Sequence, residues 1–140
     1  MNILVIDGQG GQLGGQIIKL LKGNFAESDI IAVGTNTTAT ATMLKAGAKQ
    51  AATGENSVIV ACRKADIIIG PVGIVIADAM LGEVTPQMAV AVGQADAVRI
   101  LLPVNKCDNI IAGLSELSVT DVLQDMLVKV RNVLEKRNIC

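Results

Sequence analysis

Glycine dominates the one stretch of this chain whose residue types and spacing suggest chemistry. Gly8-Gln9-Gly10-Gly11-Gln12-Leu13-Gly14-Gly15 directly follows the apolar run Met1-Asn2-Ile3-Leu4-Val5-Ile6-Asp7. It leads into Ile17, Ile18, Leu20 and Leu21, which carry helical spacing. Strand, glycine-rich turn and helix in that order can cradle a phosphate. Gly8 permits a tight exit from the strand, and Gly10 and Gly11 let backbone N–H groups approach an anion. Gly14 lets the helix pack close to the strand. The helix N-terminus adds about half a positive charge. A βα turn that needs glycine only for its shape would show the same residues, so both readings stay open.

The spacing narrows the first reading. The pattern G-x-G-x-x-G fails because position 13 is leucine, but Gly8, Gly11 and Gly14 satisfy G-x-x-G-x-x-G. That version resembles the fingerprint of the extended short-chain dehydrogenases and their non-catalytic relatives, over about the first 35 residues. The resemblance implies a Rossmann-like fold with a nucleotide on the loop. NAD-binding members carry Asp or Glu after the second strand to hold the ribose hydroxyls. Here Gly34, Thr35, Asn36, Thr37 and Thr38 follow instead, without an acid and without an arginine for a 2′-phosphate. Their hydroxyl and amide groups can donate to a phosphate, which favours NADP over NAD. A mononucleotide or another small anion fits as well.

In such a sheet, ligands bind beyond the carboxyl ends of the strands. The expected ligand contacts are therefore Gly8, Gln9, Gly10, Gly11, Gln12, Leu13 and Gly14 on the loop. Thr35, Asn36 and Thr37 are expected after the second strand, and Gly70 and Pro71 after the fourth. Thr53-Gly54-Glu55-Asn56 and Asn105-Lys106-Cys107 occupy corresponding loops. Four further side chains are candidates for catalysis: Asp7, Asp78, Glu83 and Cys107. Asp7 and Asp78 equally suit turns, and Glu83, just before Thr85-Pro86, suits a helix start. Cys107 sits beside Lys106, which could lower a thiol pKa. None of these assigns a catalytic role.

The exclusions are firmer. The chain has no Tyr, so the Tyr-x-x-x-Lys pair of short-chain dehydrogenases is absent. It has no His, which removes the commonest general base and transition-metal ligand, and no metal site is expected. No G-x-x-x-x-G-K-[ST] occurs. The three cysteines form no C-x-x-C pair, and the odd count argues against a disulfide framework.

The elements that must position these residues can be read from apolar runs and breakers. Strands are expected at Asn2 to Ile6, Ile30 to Val33, Lys49 to Ala52, Asp66 to Gly70 and Val98 to Pro103, with another at Ile110 to Gly113. Gly70-Pro71 should end the fourth. Helices are expected at Gly11 to Lys22, Ala39 to Ala46, Glu55 to Lys64, Thr85-Pro86 to Val92, and Thr120 to Lys136 with Ser118 as cap. Residues 72 to 81 are apolar and fit strand or helix. Alternating helices and Val/Ile/Leu-rich strands imply a parallel sheet covered on both faces. The expected fold is one α/β domain over 1–140, a three-layer doubly wound Rossmann-like sandwich with a mostly parallel sheet.

Composition bounds the partners. Hydrophobic residues make up 51% and charged ones 18%, and mean hydropathy is +0.52. So little polar surface points to a homo-oligomer, a dimer or larger, that hides an apolar face. The longest apolar runs are broken by Asp66, Asp78, Glu83 and Asp96, so no membrane span is expected. Met1 opens directly into a strand with no signal-peptide pattern, and a cytoplasmic protein is expected. One aromatic residue and a net charge of −1 leave little for nucleic acid to stack on or pair with.

Several segments together resemble a small bacterial family of unknown function. They are Ile6-Asp7-Gly8-Gln9-Gly10-Gly11, Thr53-Gly54-Glu55-Asn56, Asp66-Ile67-Ile68-Ile69-Gly70-Pro71, Ala77-Asp78-Ala79-Met80-Leu81-Gly82-Glu83-Val84-Thr85-Pro86 and Leu102-Pro103-Val104-Asn105-Lys106-Cys107. The resemblance covers nearly the whole chain and implies the fold, with no activity or catalytic residue to transfer. The leading expectation is a protein that binds a nucleotide or phosphorylated small molecule on the glycine loop. A small enzyme with its active site at an oligomer interface and a structural or interaction subunit are the alternatives.

Overall fold

The computed structural model describes residues 1–104 and 108–139. The expected site segment Asn105-Lys106-Cys107, and with it the Cys107 thiol, lies outside the described residues. Five strands, β1 (Asn2–Asp7), β2 (Asp29–Gly34), β3 (Gln50–Thr53), β4 (Ile67–Pro71) and β5 (Val98–Leu102), form one parallel sheet in the order β3-β2-β1-β4-β5. Five helices join and flank them: α1 (Gln12–Asn24), α2 (Thr37–Ala46), α3 (Glu55–Cys62), α4 (Pro86–Gln94) and α5 (Val119–Ile139). This is the doubly wound α/β sandwich the sequence implied.

Side-chain alternation divides the interior between the two sheet faces. Ile3 and Val5 of β1, Ile30 and Ala32 of β2, and Ile67 and Ile69 of β4 face α1, α2 and α5. Leu4, Ile6, Val33 and Ile68 face α3 and α4. Each such isoleucine or leucine contributes roughly 1.5–3 kcal/mol by leaving water. In α1, Leu13, Ile17, Ile18 and Leu21 form the buried stripe. In α5, Val122, Leu123, Met126, Leu127 and Val130 do the same.

The expected caps hold. Thr85 Oγ1 accepts from the Met88 N–H at 3.2 Å, with Pro86 in the first turn. Ser118 Oγ accepts from the Asp121 N–H at 3.1 Å. Gly70-Pro71 ends β4 as expected, with Pro71 its last paired residue, opposite Leu102 and beyond the reach of the β1 pairing. Two expectations change. Residues 72–81 form neither strand nor α-helix, but a 3₁₀ turn at Val72–Val75 followed by tight turns. The run Ile110 to Gly113 is no strand: no described strand pairs with it, and Gly113, at φ 82°, turns the chain. Among the described residues, no helix is long and apolar enough to cross a membrane.

Candidate functional site

β1 lies between β2 and β4, and the connections leaving β1 and β4 go to opposite faces of the sheet. The carboxyl end of β1 is therefore the topological switch point, where open α/β sheets bind ligands. Asp7 ends β1 there, and its side chain is 5% exposed. Its carboxylate accepts from the Gly8 N–H at 2.8 Å and the Gly14 N–H at 2.7 Å. A carboxylate from the strand thus fixes both ends of the glycine loop and supplies the cap that Gly11, at the N-terminus of α1, has no side chain to provide. Burial pushes the Asp7 carboxyl above its usual range, the two N–H groups pull it back in part, and the Glu83 charge adds to the rise.

The glycines are mostly packed. A Cβ on Gly11 would stand 2.7 Å from the Ala39 backbone, and Gly11 has φ 72°, so only glycine fits. A Cβ on Gly14 would stand 2.6 Å from Met43 Sδ. Both positions serve the close approach of α1 to α2. A Cβ on Gly8 would stand 2.7 Å from Met80 Sδ and 3.0 Å from Glu83 Oε1. Gly10 alone of the loop glycines 8, 10, 11 and 14 has nothing within 4 Å.

The centre of the site is Glu83. One of its oxygens, Oε1, accepts from the Gln9 backbone N–H at 2.9 Å, Thr35 Oγ1 at 2.7 Å and Asn36 Nδ2 at 2.7 Å. Asn36 also donates to the Gln9 carbonyl at 2.9 Å, and its Oδ1 caps α2 at the Ala39 N–H, 2.8 Å away. Partial burial pushes the Glu83 carboxyl up, but the three donors outweigh that and hold it below its usual range. It is therefore an anion at neutral pH.

Glu83 does not serve the start of α4, as its place before Thr85-Pro86 suggested. The reason lies in the preceding turn. Asp78, Met80, Leu81 and Gly82 have φ of 66°, 57°, 56° and 89°. The Asp78 N–H donates to the Val84 carbonyl at 2.7 Å, and the Gly82 N–H to the Asp78 carbonyl at 3.0 Å. This left-handed turn folds the chain back, buries Met80 over Gly8 and brings Glu83 to the tips of β1 and β2. Left-handed backbone in non-glycine residues costs of order 1 kcal/mol or more each.

The expected contacts thus sort themselves. Gly8, Gln9, Thr35 and Asn36 surround one carboxylate. Gly10 and Gln12 are exposed, the Gly10 carbonyl accepting from Thr42 Oγ1 at 2.9 Å, and Thr37 is the first, exposed residue of α2. Leu13 is core. Gly70 and Pro71 are buried in β4, and a side chain at Gly70 would strike the Ile6 carbonyl. The hydroxyl of Thr40 on α2 pairs with that of Thr53, at the end of β3, at 2.6 Å. Cys62 is buried in α3, with its thiol pushed up to about 11 by desolvation, and is no nucleophile. Among the described residues no group of three His, Cys, Asp or Glu could hold a metal ion.

A phosphoryl group above Gly8 and Gln9 would need the volume that Met80 Sδ and Glu83 Oε1 hold. In this arrangement the cradle is filled by the chain itself.

Residues 2–135 match the family described as Domain of unknown function (DUF3842). No curated protein matches the chain. A solved structure with a similar trace is a dodecameric FMN-dependent Ubix-like decarboxylase from Escherichia coli O157:H7. It is 14% identical with a TM-score of 0.44, over 99% of this chain and 94% of that one. No property of that enzyme passes to this chain.

Proposed function

For this chain, which belongs to the DUF3842 family, we propose a binding protein for a small phosphorylated ligand, a nucleotide such as NADP among them. The observation that carries the reading is the convergence of three donors, from two strand tips, on one oxygen of Glu83. A main-chain N–H, a hydroxyl and an amide aimed at one point are an oxyanion seat. Thr35 and Asn36 follow β2, where Rossmann-type proteins hold the ribose or its 2′-phosphate. Glu83 occupies the seat as an internal anion, carried by a turn with unfavourable backbone angles. The ligand's phosphate takes its place when the 78–83 turn swings away.

The reading is one of binding and not of turnover. Asp7 is enclosed and committed to two backbone donors, so it is not free to exchange protons with a substrate. The purified protein is expected to act as a homo-oligomer, in keeping with its sparse charge.

The test is a thermal-shift screen with NAD, NADP, mononucleotides, coenzyme A and inorganic phosphate, on wild type, Glu83→Gln and Gly10→Asp. Gly10 is the right position for a blocking charge, because Gly11→Asp would break the packing on Ala39. A ligand at about 100 times its dissociation constant stabilises by roughly 2.7 kcal/mol, several degrees here. We expect a shift with a phosphorylated compound, larger in Glu83→Gln and reduced in Gly10→Asp. No shift from any compound in any variant would leave Glu83 as a purely structural staple and overturn the reading.

A further inference from the structure

The layer formed by α3 and α4 differs in kind from the layer on the other face of the sheet. Together these helices carry one charged residue, Glu55, in the first turn of α3. The opposite layer carries Lys19 and Lys22 on α1, Lys45 on α2 and a run of charges on α5. Val90, on α4, is 52% exposed. Between the two helices runs an open groove of about 730 Å³, with Ile59, Pro86, Val90 and Ala91 among its lining residues. Water-facing helical surface is ordinarily polar, so this face is built to be covered.

Arg63 and Asp96 identify what covers it. Both are exposed and both line that groove, yet neither forms an ion pair with a described residue. Each follows the C-terminus of its helix, Arg63 after α3 and Asp96 after α4. Both helices return from a strand's carboxyl tip to the start of a parallel strand, so both run antiparallel to the sheet. Arg63 and Asp96 therefore sit at the same end of the layer. A two-fold axis parallel to the helices would lay α3 on the partner subunit's α4, and α4 on its α3. Arg63 would then meet the partner's Asp96, and Asp96 the partner's Arg63. Such isologous pairing uses one patch twice, and this patch holds both signs of charge at its rim and apolar side chains at its middle.

We infer that the α3–α4 face is the interface of a homodimer, with Ile59, Val90 and Ala91 at its centre and reciprocal Arg63–Asp96 ion pairs at its edge. The inference does not depend on any ligand at the glycine loop.

The experiment is sedimentation velocity over a hundredfold concentration range on wild type, Arg63→Glu, Asp96→Arg, the double reversal and Val90→Glu, each checked for fold by circular dichroism. All three positions are solvent-facing in the single chain, so folding should survive. Wild type should sediment as a dimer or a multiple of it. Each single reversal sets like charges opposite each other twice and should weaken association at least tenfold. The double reversal should restore it, and Val90→Glu should abolish it. A wild type that stays monomeric throughout would overturn the inference. So would an oligomer indifferent to the reversals and to Val90→Glu.

Discussion

The carboxylate of Glu83 rests on the backbone N–H of Gln9 at 2.9 Å, although 74 residues separate them in the chain. That bond closes the glycine loop from outside, while Asp7 holds the same loop from within. The loop is thus fixed between two carboxylates, one buried and one near the surface.

Loss of the inner carboxylate should be costly. Asp7→Ala leaves the N–H groups of Gly8 and Gly14 without their acceptor inside the protein. An orphaned buried donor costs about 1–3 kcal/mol. A fall in Tm of roughly 5–10 °C is expected for a domain of this size. Calorimetry showing a change below one degree would mean that the loop is not held by Asp7.

The outer carboxylate gives a pH signature. The fold holds Glu83 below its ordinary value of 4.5. Its contribution is therefore present above about pH 4.5 and is lost as pH falls through the folded value. Glu83→Gln should lower stability at pH 7 by about 1 kcal/mol, a charge-assisted bond discounted for solvent. The gap between the two proteins should close on acidification below 4.5. Urea denaturation at pH 7, 5 and 3.5 measures it, and a gap that widens toward acid would refute the assignment.

The glycines of the loop should separate sharply. Gly10→Ala meets nothing within 4 Å and should change stability by less than about 0.5 kcal/mol. Gly11→Ala meets the Ala39 backbone at 2.7 Å with φ of 72° and should cost more than about 2 kcal/mol. Equal effects in parallel denaturation curves would show that the loop packs otherwise.

The turn that delivers Glu83 offers a stabilising change. Leu81 has φ of 56° and a side chain fully in solvent. Asparagine tolerates that backbone far better, so Leu81→Asn should raise stability by about 0.5–1 kcal/mol. A lower Tm would show that the Leu81 side chain makes a contact of its own.

Much of the fold was legible because apolar runs and caps are local signals. Ile67, Ile68 and Ile69 read as a doubly buried strand, and Thr85-Pro86 as a helix start, from neighbours alone. The glycine loop was legible as a loop, but not the reason for its glycines. Gly11 and Gly14 answer to Ala39 and Met43, on a different helix, and nothing near them in sequence announces this. Glu83 was visible as an acid beside Gly82, yet its destination was hidden. That destination depends on left-handed backbone at Asp78, Met80 and Leu81, which the residue types at 80 and 81 do not favour. The apolar pair Ile110-Ile111 misled for the converse reason, since a strand needs a partner strand and no described one pairs with it.

The most direct test follows the Gln9 backbone N–H and the Asn36 side-chain amide by ¹⁵N NMR, during titration with NADP and, separately, inorganic phosphate. If the Glu83 seat is an anion site, both signals should shift and saturate together, at lower concentration in Glu83→Gln than in wild type. If neither signal moves in either protein while both remain folded, the seat is a structural staple and the binding account is wrong.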